Sequence, residues 1–273
     1  MRFPFETIDT HVHLYPDSIA VKVTSHLSKR FGNAPSFDGT VSGCEAKNAE
    51  GGFDIAINLP VATKPDSVRH TNEFWRRYAP KGRAFGHVVS LACFHPRVPD
   101  KTAELAWIAE AGFTGVKFHP EYQLFRLDDP EMDETWQAMS DLGLVAYLHA
   151  GGERVFSPPY HSCPSDIAEL KRRFPALKIA AAHLGGFDMW DEAERTLVGQ
   201  DVYLDLSHCF GWVGEDQIVR MIEKHGFDRI LLGSDAPWQD PATVLAAFLA
   251  LPFTADQRRA ILHDNAARLL LAI

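Results

Sequence analysis

Eight short runs of strand-forming character recur along the chain, and from the second onward they return every 24 to 33 residues. They are Thr7 to His13, Phe53 to Leu59, Phe85 to Leu91, Gly115 to His119, Val145 to His149, Lys178 to His183, Val202 to Asp205 and Arg229 to Leu232. That interval is the length of one strand–helix unit. Runs such as Ile179-Ala180-Ala181-Ala182 and Ile230-Leu231-Leu232 show no polar alternation, as expected of parallel strands covered on both faces.

Helix signals lie between the runs. Asp66-Ser67 precedes a helix that reaches Tyr78 and is stopped by Pro80. Pro99-Asp100 opens Lys101 to Ala111, and Asp129-Pro130 opens Glu131 to Leu142. Pro164-Ser165-Asp166 opens a helix to Phe174, and Asp240-Pro241 another to Leu251. These are N-cap, first-turn proline and C-terminal glycine patterns. Between Tyr15 and Glu50 a single helix, Ser18 to Arg30, and a loop are expected. A last helix is expected over Ala255 to Leu270, closing the bottom or side of the fold. Eight units predict an α/β protein, a (β/α)8 TIM barrel of one domain over residues 1–273 with an extra C-terminal helix. The rival is an open doubly wound sheet, which calls for a glycine-rich first turn. Here the first strand runs into His11-Val12-His13-Leu14-Tyr15-Pro16 instead.

A net charge of −9 argues against a nucleic-acid surface. No apolar run has the roughly 20 residues that span a bilayer, and the first residues lack the apolar core of a signal peptide. The expectation is a cytoplasmic protein that acts on a small molecule; homo-oligomerisation stays open. Cysteines 44, 93, 163 and 209 are scattered with no Cys-x-x-Cys pair, so they read as reduced thiols, not as a zinc site or a disulfide framework.

In such a barrel the active site lies at the carboxyl ends of the strands, and the unusual polar residues fall there. His11 and His13 stand two apart on the first strand and share a face. Lys117 and His119 do the same on the fourth. His149 ends the fifth, His183 ends the sixth, and Asp235 follows the eighth. Each alone has a plain structural reading, as a hydrogen-bonded core histidine or a turn-capping aspartate. Recurrence at matched positions on several strands points to a divalent-metal site, with zinc foremost and manganese as alternative. Gly151-Gly152, Gly185-Gly186 and Gly233 beside these residues allow close backbone approach.

The stretches Asp9-Thr10-His11-Val12-His13, Gly115-Val116-Lys117-Phe118-His119-Pro120, Leu148-His149-Ala150-Gly151-Gly152, Ala182-His183-Leu184-Gly185-Gly186 and Leu232-Gly233-Ser234-Asp235-Ala236-Pro237 resemble the amidohydrolase superfamily. The branch they look most like includes aminocarboxymuconate-semialdehyde decarboxylase. A closing Asn265-Ala266-Ala267-Arg268-Leu269-Leu270 also matches, and the resemblance is weakest between Tyr15 and Glu50.

The resemblance implies a metal site of His11, His13, His149, His183 and Asp235, with Asp235 also handling the proton of the attacking water. In relatives with one metal, the strand-five histidine completes the site and the strand-six histidine acts as acid/base or polarises the substrate. In relatives with two, both hold the second ion, and a strand-four carboxylate or carboxylated lysine bridges. One ion is the preferred reading here and two the alternative. Lys117 is then a carboxylated bridge, a cation for an anionic substrate group, or a structural ion pair. His119 orients a ligand or meets the substrate, and Glu121 is another candidate bridge. The expected activity is hydrolysis of a C–N or C–O bond (amide, lactone or ester) of a small anionic substrate through a metal-activated water. Asp235 and His183 are its catalytic residues. Lys117, with Arg126 or Arg154, grips the anionic group. The loop aromatics Tyr122, Phe125, Phe156, Tyr160, Trp212 and Trp238 are candidate walls. Non-oxidative decarboxylation by the same ligands is the alternative, and a ligand-binding barrel without catalysis the second.

Overall fold

The computed structural model describes residues 3–81 and 86–271. Its strands are β1 (Ile8–Val12), β2 (Ile55–Asn58), β3 (Val88–Ser90), β4 (Ala92–Cys93), β5 (Gly115–Phe118), β6 (Val145–Leu148), β7 (Lys178–Ala181), β8 (Tyr203–Asp205) and β9 (Ile230–Leu231). Neighbours pair in parallel throughout. β3 and β4 are two halves of one barrel strand, parted at Leu91. The first half sets Val88 opposite Ala56 of β2, and the second sets Ala92 opposite Val116 of β5. The two ends of the sheet also meet. Thr10 N donates to Leu232 O at 2.9 Å, Asp235 N to His11 O at 2.8 Å, and His13 N to Ala236 O at 2.7 Å. The parallel ribbon thus closes into the expected (β/α)8 barrel. The expected start of the third strand, Phe85, lies outside the described residues.

The helices are α1 (Asp17–Phe31), α2 (Val41–Gly51), α3 (Val68–Trp75), α4 (Lys101–Glu110), α5 (Pro120–Gln123), α6 (Asp133–Leu142), α7 (Pro164–Arg173), α8 (Trp190–Thr196), α9 (Glu215–His225), α10 (Pro241–Ala250) and α11 (Ala255–Arg259). The sequence signals act as read. The Asp100 side chain accepts from Ala103 N at 2.9 Å and Asp240 from Thr243 N at 3.0 Å. Caps of this kind contribute about 1 kcal/mol each. Gly143 ends α6 in the left-handed region at φ 66°.

Two expectations need correction. The stretch 15–50 holds two helices, not one. α2 contains Gly43 and ends on Gly51, so propensity hides it. Gly51 has a packing reason, since a Cβ there would stand 3.1 Å from Ala242 N of α10. The last helix is regular only to Arg259; wider π-type turns cover Ala260–Asp264 and Ala267–Leu271. Its tail nonetheless closes the bottom of the barrel, as expected. Ala266, Leu269 and Leu270 join one apolar cluster with Ile8, Ile57, Val89, Val145 and Leu231. Thr114 Oγ1 donates to Leu270 O, and Asn265 Nδ2 to Ile230 O. With that end plugged, the mouth at the carboxyl ends of the strands is left for chemistry. Among the described residues, no helix is long and apolar enough to cross a membrane.

Candidate metal centre and its cavity

His11 and His13 leave the carboxyl end of β1 on one face, and Asp235 arrives from the bend after β9. His11 Nε2 and His13 Nε2 are 3.2 Å apart, and Asp235 Oδ1 lies 3.4 Å from the first and 3.3 Å from the second. Donors about 2.0–2.1 Å from a tetrahedral ion stand about 3.3 Å from one another. The three atoms therefore have the spacing that one divalent ion requires.

The far side of each ligand is held, and this decides which atom faces the centre. Asp205 Oδ2 accepts from His11 Nδ1 at 2.6 Å and from the Tyr147 hydroxyl at 2.8 Å. His13 Nδ1 faces Leu59 O at 3.0 Å. A carboxylate or carbonyl oxygen accepts only, so both imidazoles carry their proton on Nδ1 and present a bare Nε2. His208 Nδ1 holds Asp235 Oδ2 at 2.8 Å, which turns Oδ1 inward. Burial, with Lys117 adding to it, holds His11 well below the ordinary imidazole range. Burial pushes the Asp235 carboxyl up, but the imidazoles around it, those of His13, His208 and His11, together outweigh that and hold the group well below the usual carboxylate range. The trio thus offers two imidazole nitrogens and one carboxylate oxygen.

A second pair stands beside it. His149 Nε2 faces Gly152 O at 3.0 Å, and His183 Nδ1 faces Ser207 O at 3.1 Å. By the same logic the remaining nitrogens, His149 Nδ1 and His183 Nε2, are bare, and they face each other at 3.2 Å. Burial keeps both rings well below the ordinary imidazole range. Two bare lone pairs at that spacing suit a cation. Lys117 is fully buried with its Nζ 3.4 Å from His11 Nε2. Burial brings its pKa down to about 8 against the pull of Asp205 and Asp235.

His119 stacks flat on His149, with centroids 4.0 Å apart and planes 8° from parallel. Its Nε2 lies 3.6 Å from Glu153 Oε2, and its Nδ1 is buried without a partner. Donor atoms of His119, His149 and Glu153 fall within 4.8 Å of one another. Stacked rings send their lone pairs along parallel planes, however, so this set converges poorly on a common ion. Glu121 is committed elsewhere: it accepts from His161 N at 2.5 Å and faces His161 Nδ1 at 2.7 Å. Arg126 pairs with Asp128 at 3.0 Å and stands 3.6 Å from Asp166.

The backbone is strained where these groups enter. His183, His208 and Asp235 have φ of 58°, 55° and 65°. Such left-handed, non-glycine residues cost about 1–3 kcal/mol each and gather at functional sites. Gly233 is required by contact: a Cβ there would lie 2.5 Å from His11 Cβ and 2.8 Å from Asp205 Oδ1.

The centre forms the floor of a cavity of about 560 Å³, in the range of small-molecule sites. His13, Lys117, His119, His149, His183 and Asp235 all line it. Ile19, Val23 and Leu27 of α1 form an apolar wall. Tyr122 and Trp238 line it as expected, whereas Phe125 is buried against Phe118. Sequence reasoning missed Asp205, Ser207, His208, Glu153 and the whole α1 wall. The one available signal was Asp205-Leu206-Ser207-His208, polar residues at the matched end of the seventh strand.

A family model described as amidohydrolase matches residues 8–271. No curated protein matches the sequence. Three solved structures illustrate the likeness of fold. One is 5-carboxyvanillate decarboxylase from Novosphingobium aromaticivorans, complexed with manganese and 4-hydroxy-3-methoxy-5-nitrobenzoic acid. It is 16% identical with a TM-score of 0.74, over 97% of this chain and 96% of that one. The 2,6-dihydroxybenzoate decarboxylase from Rhizobium is 17% identical with a TM-score of 0.69, over 98% of both chains. A Pseudomonas putida protein provisionally assigned as a 2-pyrone-4,6-dicarboxylic acid hydrolase is 19% identical with a TM-score of 0.67, over 98% of both chains. At such identities the likeness speaks for the barrel alone.

Proposed function

This chain belongs to the amidohydrolase family, and from that premise we propose that it is a divalent-metal-dependent hydrolase. Its substrate is a small anionic molecule with an amide, lactone or ester to be cleaved. The observation that carries this reading is the donor trio at mutual distances of 3.2–3.4 Å, each member locked from behind, with His13 and Asp235 lining the cavity. Bound there, a divalent ion supplies Lewis acidity and lowers the pKa of its water to about 7. His11, His13 and Asp235 would hold it. Zinc suits two imidazoles and a carboxylate, and manganese is the alternative.

Asp235 takes the proton of the nucleophilic water, with His208 steadying its second oxygen. Where one ion is bound, His183 Nε2, bare in this tautomer, would act as a base toward the substrate. Were two bound, it would join His149 in holding the second, and Lys117, if carboxylated, would supply a further oxygen ligand. The facing pair of bare nitrogens is what favours hydrolysis, because His149 and His183 would hold a second cation beside the trio, and two-metal sites serve displacement by water. With one ion, Lys117 remains a cation for a substrate carboxylate, and His119 packs against the bound molecule.

Decarboxylation is a second reading, favoured by the likeness of fold to two decarboxylases. Elemental analysis of the wild type and His11→Ala, followed by product analysis on ester, lactone and aryl-carboxylate panels, tests both. One or two ions per chain, lost in the variant, with hydrolysis and no carbon dioxide, is the expected result. Metal-dependent release of carbon dioxide selects the second reading. A protein that takes up no metal on reconstitution overturns both.

A further inference from the structure

We infer that Arg30 and Arg154 form an anion-reading rim above the metal centre, so that the substrate is a diacid with an apolar body. Its reacting group meets the floor of the cavity and its second carboxylate or phosphate meets the two guanidinium groups. This rests on the metal-centred reading above.

Both arginines line the same cavity as His13, Lys117 and Asp235. They come from unrelated parts of the chain, Arg30 from the end of α1 and Arg154 from the loop after β6. Each is tied to the floor through aromatic rings. The Arg30 guanidinium carbon lies 5.2 Å from the Tyr122 ring centre and 5.4 Å from that of Phe156. Tyr122 packs edge-on at 4.4 Å against His119, which stacks on His149. The Arg154 guanidinium carbon sits 4.3 Å from the Trp212 ring centre, and Trp212 stands 5.9 Å from His208, the residue that holds Asp235.

A guanidinium against a ring face spends that face on the ring. Its N–H groups project in its own plane and stay available to a planar anion. Elsewhere on the molecule arginines are used up by carboxylates, as Arg69 is by Glu104, Arg173 by Asp133 and Arg220 by Glu194. Among the described residues, neither Arg30 nor Arg154 has a carboxylate partner, although the chain carries a net charge of −9. The cavity runs against that excess. Arg30, Lys117 and Arg154 face it from the cationic side; the acids are Asp235, a ligand in the trio, and Glu153, turned to His119. The Tyr122 hydroxyl is buried in the same wall with no partner, a further donor for an anion. Val23 and Leu27 of α1 give the body of the molecule an apolar surface to lie on. Ring anchoring also restrains the two long side chains before binding, which lowers the ordering cost of capturing an anion.

The test is calorimetric titration of metal-reconstituted protein with rigid aryl monoacids and matching diacids of increasing span. Suitable pairs are benzoate against isophthalate and terephthalate, and biphenyl-4-carboxylate against biphenyl-4,4′-dicarboxylate. At least one diacid should bind about tenfold or more tighter than its monoacid, the scale of one charge-assisted hydrogen bond. The gain should shrink with added salt, as rim charges are screened. Arg30→Gln with Arg154→Gln should erase it while metal content, melting temperature and monoacid affinity stay as in the wild type. A series in which no diacid gains, or a gain that survives the double substitution, overturns the rim. A gain that the substitutions erase but that persists unchanged in metal-free protein keeps the rim and overturns the metal-centred reading.

Discussion

Replacing Asp205 by asparagine alters one atom behind the metal centre, and it should cost the protein its metal before its fold. Asp205 is fully buried. Its Oδ2 accepts from His11 Nδ1 at 2.6 Å, from the Tyr147 hydroxyl at 2.8 Å and from the Ser207 hydroxyl at 3.0 Å, while its Oδ1 accepts from Ser207 N. In the variant one of those oxygens becomes an NH2. With the NH2 toward His11, the imidazole must accept at Nδ1 and carry its proton on Nε2. That is the atom 3.2 Å from His13 Nε2 and 3.4 Å from Asp235 Oδ1, and once protonated it no longer binds an ion. With the amide turned over, the NH2 meets the Ser207 N–H and leaves a buried donor unpaired, at about 1–3 kcal/mol.

The first arrangement is the cheaper, because the Tyr147 or the Ser207 hydroxyl can rotate to accept the second N–H of the new NH2. Loss of a partner of this kind weakens metal binding about 10–100-fold, equivalent to about 1.4–2.7 kcal/mol. Chelator competition with zinc measures the affinity, melting of the metal-free proteins checks the fold, and the ¹⁵N shifts of His11 report its tautomer. A folded variant that binds zinc as tightly as the wild type, with His11 Nε2 unprotonated, refutes the claim that Asp205 sets the ligand.

Asp235→Asn should fold and yet lose turnover by about 10²–10⁴-fold, since the proton acceptor is gone; steady-state rates at saturating metal check this. The metal-free protein should be acid-labile. His11, His119, His149 and His183 are all held well below the ordinary 6.5, so the unfolded chain binds more protons than the native one as pH falls through that value. Stability is then intact above about pH 6.5 and falls below it, with a limiting slope of about 5 kcal/mol per pH unit if all four rings contribute. Urea unfolding between pH 7 and 5 measures the slope, and a flat profile contradicts the assignment. Gly233→Ala should destabilise by about 1–3 kcal/mol through overpacking against His11, read as a lower melting temperature, and should weaken metal retention with it.

The barrel was legible because its evidence is local and repeated. Strand length, helix caps such as Asp100 and Asp240, and stop signals such as Gly143 each act within a few residues of where they are read. α2 escaped because its reason is not local: Gly51 serves contact with α10, which propensity does not register. The terminal helix was placed correctly, but its wide turns over Ala260–Asp264 and Ala267–Leu271 have no signal in residue propensity. At the site, His11, His13, Lys117, His119, His149, His183 and Asp235 were legible as polar side chains at matched strand ends. The residues behind them were not. Tyr147 reads as one more member of an apolar strand, and Asp205 as a strand end, until the chain brings them to His11 from far along the sequence.

The seam that closes the barrel also assembles the metal trio. His11 O and His13 N bond to Asp235 N and Ala236 O, so the hydrogen bonds that join β1 to the end of β9 are made by the ligand residues themselves or their neighbours. Two residues before His11, Asp9 accepts from Ser234 N at 2.8 Å and Ser234 Oγ at 2.5 Å across a separation of 225 residues. Burial raises the Asp9 carboxyl to about 7, partly offset by those bonds, so this join is tightest when the group is ionised. The spacing of the donors is therefore tied to closure of the barrel. An ion that binds only the closed form adds its binding free energy to the seam. Closure of the fold and capture of the metal are in that sense a single equilibrium.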